Sequence, residues 1–137
     1  MKARVSLTGE LTFTGESGSG HKVIIDSATD VGGLDSGPRP MELILLGLGG
    51  CTSIDVVMIM RKARQQISDC VVEIEAERAE EVPKVFTRIH LHYILKGVDL
   101  SERHVERAIS LSAEKYCSVS RMLEKTAVIT HDYEIQA

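Results

Sequence analysis

From Leu43 to Met60 the chain runs for 18 residues with a single charged side chain, Asp55. Few environments accept such a stretch. It can cross a membrane, it can be a buried structural helix, or it can shield a reactive group, since Cys51 sits near its middle beside Gly47, Gly49 and Gly50. A membrane span needs about 20 predominantly apolar residues. This run is diluted by Thr52, Ser53, Asp55 and three glycines, and no second segment resembles it. The expectation is a helix apolar almost all round, and therefore buried on every side. A small domain has few elements with which to cover such a helix. The pattern predicts a second copy of the chain, hence a homodimer, and no membrane.

The 137 residues suit one domain, 1–137, with 43% hydrophobic and 26% charged residues, ordinary values for a globular protein. A net charge of -4 offers no basic footprint, so no nucleic-acid partner is expected. The opening "MKARVSLTGE" lacks an apolar signal core, which points to a cytoplasmic protein. Three cysteines without compact spacing make neither a disulfide framework nor a zinc site.

Along the chain, "ARVSLTG", "LTFTGES" and "GSGHKVIIDS" read as short strands, with Gly18 and Gly20 in a turn. A loop rich in Gly, Asp and Pro, Ala28 to Pro40, delivers the chain to the apolar helix, with Pro40 in its first turn. That helix is expected to continue through "RKARQQ", its cations favouring the C-terminal end. "CVVEIEAERAE" and "VFTRIHLHYIL" alternate with period two and form a hairpin around Pro83. Asp99 and Glu102 match a capping box for a second helix. Its inner face is read as Val105, Ala108, Ile109, Ser112, Ala113 and Tyr116. Ser118 or Ser120 then caps a short helix, and "AVITHDYEIQ" closes as a strand. The order βββ-α-ββ-αα-β describes an α+β domain in which antiparallel strands wrap long helices.

Chemistry could reside at Cys51 and Cys117. A free cysteine is most often a small core hydrophobe. The glycines beside Cys51 cost helix stability, about 1 kcal/mol each relative to alanine, and so ask for close approach by another element. Cys117 lies at a break between helices, where the free N–H groups of the next helix would lower its pKa. The two thiols occupy the two longest helical regions, which must pack together around a single core. Asp55, four residues after Cys51, shares its side of the helix, and its negative charge would oppose a thiolate. Cys70 reads as structural. His90 and His92 share one strand face but lack a third ligand, so no metal is expected. His21, His104 and His131 read as surface or strand residues.

"GPRPMELILLGLGGCTSIDVV" around Cys51 and "LSAEKYCSVSRML" around Cys117 resemble the OsmC/Ohr family, of osmotically inducible protein C and organic hydroperoxide resistance protein. The resemblance covers essentially the whole chain and is closest to the small YhfA-like branch. It implies an OsmC-like fold of antiparallel sheets wrapped around two long central helices in an intertwined homodimer. It also implies a peroxiredoxin-like role in oxidative stress: a thiol-dependent peroxidase that reduces small organic hydroperoxides. Cys51 would be the peroxidatic residue, passing through a sulfenic acid. Cys117 would resolve it to a disulfide, and a dithiol or lipoylated protein would reopen the bond. Leu48, Ile54 and Met58 would favour alkyl over hydrogen peroxide. No metal, flavin or haem is implied.

Two positions depart from the family. Met41 stands where a glutamate follows the proline, leaving Glu42, one step on, as the candidate for that role. The N-terminal hairpin region has no arginine between Leu7 and Gly20, so only Arg4 and Arg39 are available as stand-ins. The alternative function is a non-enzymatic dimer of the same fold that binds a small molecule or senses redox state.

Overall fold

The computed structural model describes residues 1–137. The elements follow the expected order: strands β1 (Ala3–Leu7), β2 (Phe13–Ser17) and β3 (Lys22–Ile25), helix α1 (Pro40–Lys62), strands β4 (Gln66–Arg78) and β5 (Phe86–Val98), helices α2 (Glu102–Leu111) and α3 (Ser118–Leu123), and strand β6 (Val128–Gln136). Two compact units result, Met1–Leu46 and Gly47–Ala137.

In the first unit β1, β2 and β3 form an antiparallel meander. The loop that follows is organised by the buried carboxylate of Asp26. It accepts hydrogen bonds from the hydroxyls of Thr12 and Ser36 and from the backbone N–H groups of Ser27, Leu34 and Ser36. These donors, Ser36 first, hold its carboxyl well below the usual carboxylate range. The loop returns so closely that a Cβ at Gly33 would collide with the Ser27 carbonyl oxygen, so only glycine fits there. α1 then starts at Pro40, and the Glu42 carboxylate accepts from the Arg39 N–H at 2.8 Å, satisfying one of the free donors of the first turn.

In the second unit the sheet order is β4-β5-β6. Leucines and isoleucine of β5 (Ile89, Leu91, Leu95), with Tyr93, are buried on one face, while Glu73, Glu75 and Glu77 of β4 lie on the exposed one. α1 lays Leu48, Thr52, Val56 and Met60, each four residues apart, into the core. A Cβ at Gly49 would meet Ile74 Cδ1 at 2.9 Å, so this glycine lets the helix approach β4.

Several boundaries differ from the sequence reading. β6 runs parallel to β5, with Arg88 opposite Val128 and Lys96 opposite Gln136, so the second sheet is mixed. The helical crossover from Val98 to Val128 brings the chain back to the start of β5, and alternation along one strand carries no information on its direction. α1 stops at Lys62. Arg64 adopts a left-handed φ of 58°, and the bonds Arg64 N–H to Arg61 O and Gln65 N–H to Met60 O close the helix in a Schellman turn. The cap of α2 is Ser101, which accepts from the His104 N–H, rather than Asp99. Beyond Leu111 the helix widens into a π turn over Ser112–Tyr116, sealed by Cys117 N–H to Ser112 O at 2.8 Å. The extra residue in the turn shifts the helical phase. Val105, Ala108, Ile109 and Ser112 are buried as read from the sequence, but Tyr116 is 50% exposed.

α1 is not covered on all sides by its own chain. Ile54 and Met58 are 62% and 58% exposed, and the positions of Gly47 and Gly50 open onto free space. By length and composition alone the helix could cross a membrane, with a mean hydropathy of 2.1 over its 18-residue window.

Candidate thiol site

Cys117 is fully buried and serves as the N-cap of α3, a position read from the sequence as Ser118 or Ser120. Its Sγ accepts from the Ser120 N–H at 3.4 Å. Cys51 is half-buried on α1, just before the buried Thr52. The π turn delivers Cys117 to it: the two sulfurs and the Asp55 carboxylate all lie within 4.8 Å of one another. The packing of α1 against the α2–α3 region therefore brings Cys51 and Cys117 together, and adds Asp55.

Behind this cluster runs a buried chain of hydrogen bonds. The Tyr93 hydroxyl and Thr52 Oγ1 are 2.7 Å apart, Thr52 Oγ1 and Ser112 Oγ 2.8 Å, and Ser112 Oγ donates to Asp55 Oδ2 at 3.0 Å. The direction is fixed from the carboxylate end, with Tyr93 donating to Thr52 and Thr52 to Ser112, so burial leaves no hydroxyl unpaired. The sequence held one unused signal for this chain: Thr52 and Ser112 are polar residues at inward positions of apolar helical faces.

No lysine, arginine or histidine makes an ion pair with Asp55. Burial pushes the Cys117 thiol up to about 11, the neighbouring Cys51 thiol and the Asp55 charge add to the rise, and the Ser120 N–H offsets only part of it. This reverses the expectation that the next helix would lower it. α3 has only six residues, and one N–H bond does not compensate the loss of water. Burial likewise pushes the Tyr93 hydroxyl up to about 12.

The remaining sequence candidates lie elsewhere. Glu42 is not a member of the cluster; its carboxylate caps α1 and stands 3.6 Å from the Arg39 guanidinium, which also pairs with Asp35 at 3.2 Å. Arg4 donates to the Ser6 hydroxyl on an exposed strand. Leu48 belongs to the core and Ile54 points outward, while Met58 lines a cavity of about 370 Å³. That cavity reaches Asp55 and is walled by Ile59, Tyr116 and two cations, Lys62 and Arg107. Cys70 is half-buried in β4, outside the cluster, and burial followed by the charge of Asp69 raises its pKa. His90 and His92 share a face as expected, and both point a ring nitrogen at Asp132 Oδ1, at 3.0 and 2.7 Å.

Residues 33–132 match the family model described as OsmC-like protein. The chain is 51% identical to Protein YhfA of Escherichia coli (strain K12) over 137 residues, covering 100% of this chain and 99% of that one. Among solved structures, a hypothetical protein from Aquifex aeolicus VF5 is 30% identical with a TM-score of 0.83, covering 99% of this chain and 97% of the other. The organic hydroperoxide resistance protein OhrB of Bacillus subtilis shares the fold at 17% identity and a TM-score of 0.65, over 98% of each chain. By the extent of the family match and the full-length identity, the chain belongs to the OsmC-like protein family.

Proposed function

We propose that this protein is a thiol-dependent reductant of organic hydroperoxides that works as a homodimer in a reducing compartment such as the cytoplasm. The observation that carries this reading is the approach of Cys51 and Cys117 to within 4.8 Å, in a family that includes an organic hydroperoxide resistance protein. The Cys51 sulfur attacks the O–O bond of ROOH, giving Cys51–SOH and ROH. The Cys117 sulfur then displaces the hydroxyl, forming the disulfide, and its own proton leaves with that hydroxyl as water. Two electrons from an external dithiol, free or on a lipoylated protein, restore both thiols.

Positive charge near the site comes from Lys62 and Arg107 on the cavity wall, in place of the N-terminal arginine sought in the sequence. Together with Met58 and Ile59 they suit a hydroperoxide with an apolar body and a negative end. The uncovered Ile54 and Met58, flanked by open Gly47 and Gly50, support pairing of α1 with a second copy rather than with lipid. Covering one such large side chain is worth roughly 1.5–3 kcal/mol. Light scattering that finds only monomer at micromolar concentration would remove the dimer from this reading.

A non-enzymatic role, in which the cavity binds a small molecule or the thiols sense oxidation, is favoured by one observation: the raised pKa of Cys117 beside the Asp55 charge. The reduced protein, given cumene hydroperoxide and dihydrolipoamide, separates the two. Catalytic peroxide consumption, abolished by Cys51→Ser, supports the enzyme. Stoichiometric oxidation without turnover supports the sensor.

A further inference from the structure

Two thiols and a carboxylate within 4.8 Å, one of the thiols wholly buried, form a set of three groups that are anionic or become so on deprotonation. No cationic side chain makes an ion pair with the carboxylate among them. Deprotonating these thiols beside a carboxylate that no cation pairs is costly. A divalent ion resolves that conflict. We propose that Cys51, Asp55 and Cys117 are the three protein ligands of a site for a soft divalent cation of the zinc type.

The geometry fits such an ion. Zinc takes thiolate sulfur at about 2.3 Å and carboxylate oxygen at about 2.0–2.2 Å in a tetrahedron, which sets the two sulfurs about 3.8 Å apart. Atoms already within 4.8 Å reach that arrangement by small side-chain rotations. Two sulfur ligands select zinc or cadmium over magnesium or calcium. The carboxylate is already oriented, because Ser112 holds Asp55 Oδ2 while Thr52 and Tyr93 hold Ser112. Such outer support is what ligating carboxylates need. Of the three ligands Asp55 lines the cavity, so an ion would approach from the carboxylate side.

Binding releases two protons, one from each thiol, and leaves a site of net charge minus one that shares its cavity with Lys62 and Arg107. The metal site stands on the meeting of the three side chains alone. Its consequence rests on the redox reading: an ion bound to both thiolates shuts off attack on peroxide and disulfide formation, so metal and oxidant compete for one pair.

The test takes the full chain, reduced and metal-free, and titrates it anaerobically with Co²⁺ in the absence of peroxide. The expected result is a thiolate-to-cobalt charge-transfer band with four-coordinate d–d bands, saturating at one ion per chain and erased by Zn²⁺. Cys51→Ser and Cys117→Ser each weaken binding roughly 100-fold or more, beyond the loss typical of an outer-shell partner. Asp55→Asn weakens it while keeping the thiolate band, and Cys70→Ser leaves it unchanged. If Cys117→Ser does not fold, protection of Cys51 by Zn²⁺ against iodoacetamide in the wild type, read by peptide mass, decides instead. No thiolate band, a band lost with Cys70, or unprotected Cys51 overturns the site. Cobalt binding without peroxide turnover sinks only the enzyme; turnover without cobalt binding sinks only the metal.

Discussion

Two clusters of titratable side chains, one among the helices and one on the exposed face of the second sheet, behave oppositely. On the inner side, Cys51, Asp55 and Cys117 meet beside Tyr93, and loss of water dominates: the Cys117 thiol rises to about 11. On the outer side, His90, His92 and Asp132 meet in solvent, and pairing dominates. Hydrogen bonding to Asp132 raises the pKa of His92, and the two histidines lower that of Asp132. In the inner cluster burial keeps the Cys117 thiol protonated beside the Asp55 charge, whereas in the outer one the exposed His92 and Asp132 stabilise each other's charged form. Two groups of ionisable side chains thus differ in proton affinity because one has lost its water and the other has kept it.

The largest expected effect lies in the buried hydrogen-bond chain. Thr52→Val deprives the Tyr93 hydroxyl of its partner and should cost about 1–3 kcal/mol of stability in urea unfolding. A cost no larger than that of a change at the exposed His92 would erase the contrast between the faces.

A smaller effect concerns alkaline pH. The Cys117 pKa is raised from 9.0 to about 11, so the folded protein keeps a proton that the unfolded chain releases. Stability is then fully present below pH 9 and falls as pH climbs through 11. Tyr93, raised from 10.0 to about 12, adds a further loss one step higher. Unfolding midpoints measured across this range should lose the lower part of the slope in Cys117→Ala and the upper part in Tyr93→Phe. An unchanged slope in Cys117→Ala would place the thiol in water.

The smallest effect belongs to the outer cluster. Asp132→Asn should move the His92 titration, followed by NMR, to lower pH. The sign follows from both partners. The raised His92 contributes stability that is present below its unfolded value of 6.5 and lost as pH rises through the folded one. The lowered Asp132 contributes stability that is present above 3.8 and lost as pH falls through its folded value. A His92 titration indifferent to Asp132 would dissolve the outer cluster as a unit.

Much of the architecture was legible because burial leaves periodic marks. Alternation marked β4 and β5, and spacing by three and four marked α2. What escaped was set by single backbone events that leave no periodic trace. The π turn moved Tyr116 outward and made Cys117 the cap of α3. The direction of β6 depended on where the crossover landed, and the end of α1 on a left-handed Arg64. At the site, the two thiols were visible as residues with unusual neighbours. Thr52, Ser112 and Tyr93 were not, since a hydroxyl declares its partner only when another is folded against it.

By itself the sequence determined which segments must hide from water, because hydrophobicity and its period are local properties of the chain. It determined the family as well, through two cysteine-bearing stretches. Only the tertiary structure decided that Cys117, more than sixty residues further along the chain, meets Cys51 and Asp55 within 4.8 Å, with no cation paired to the carboxylate. Charge and proton affinity there depend on water excluded and partners gathered, and both exist only once the helices have packed.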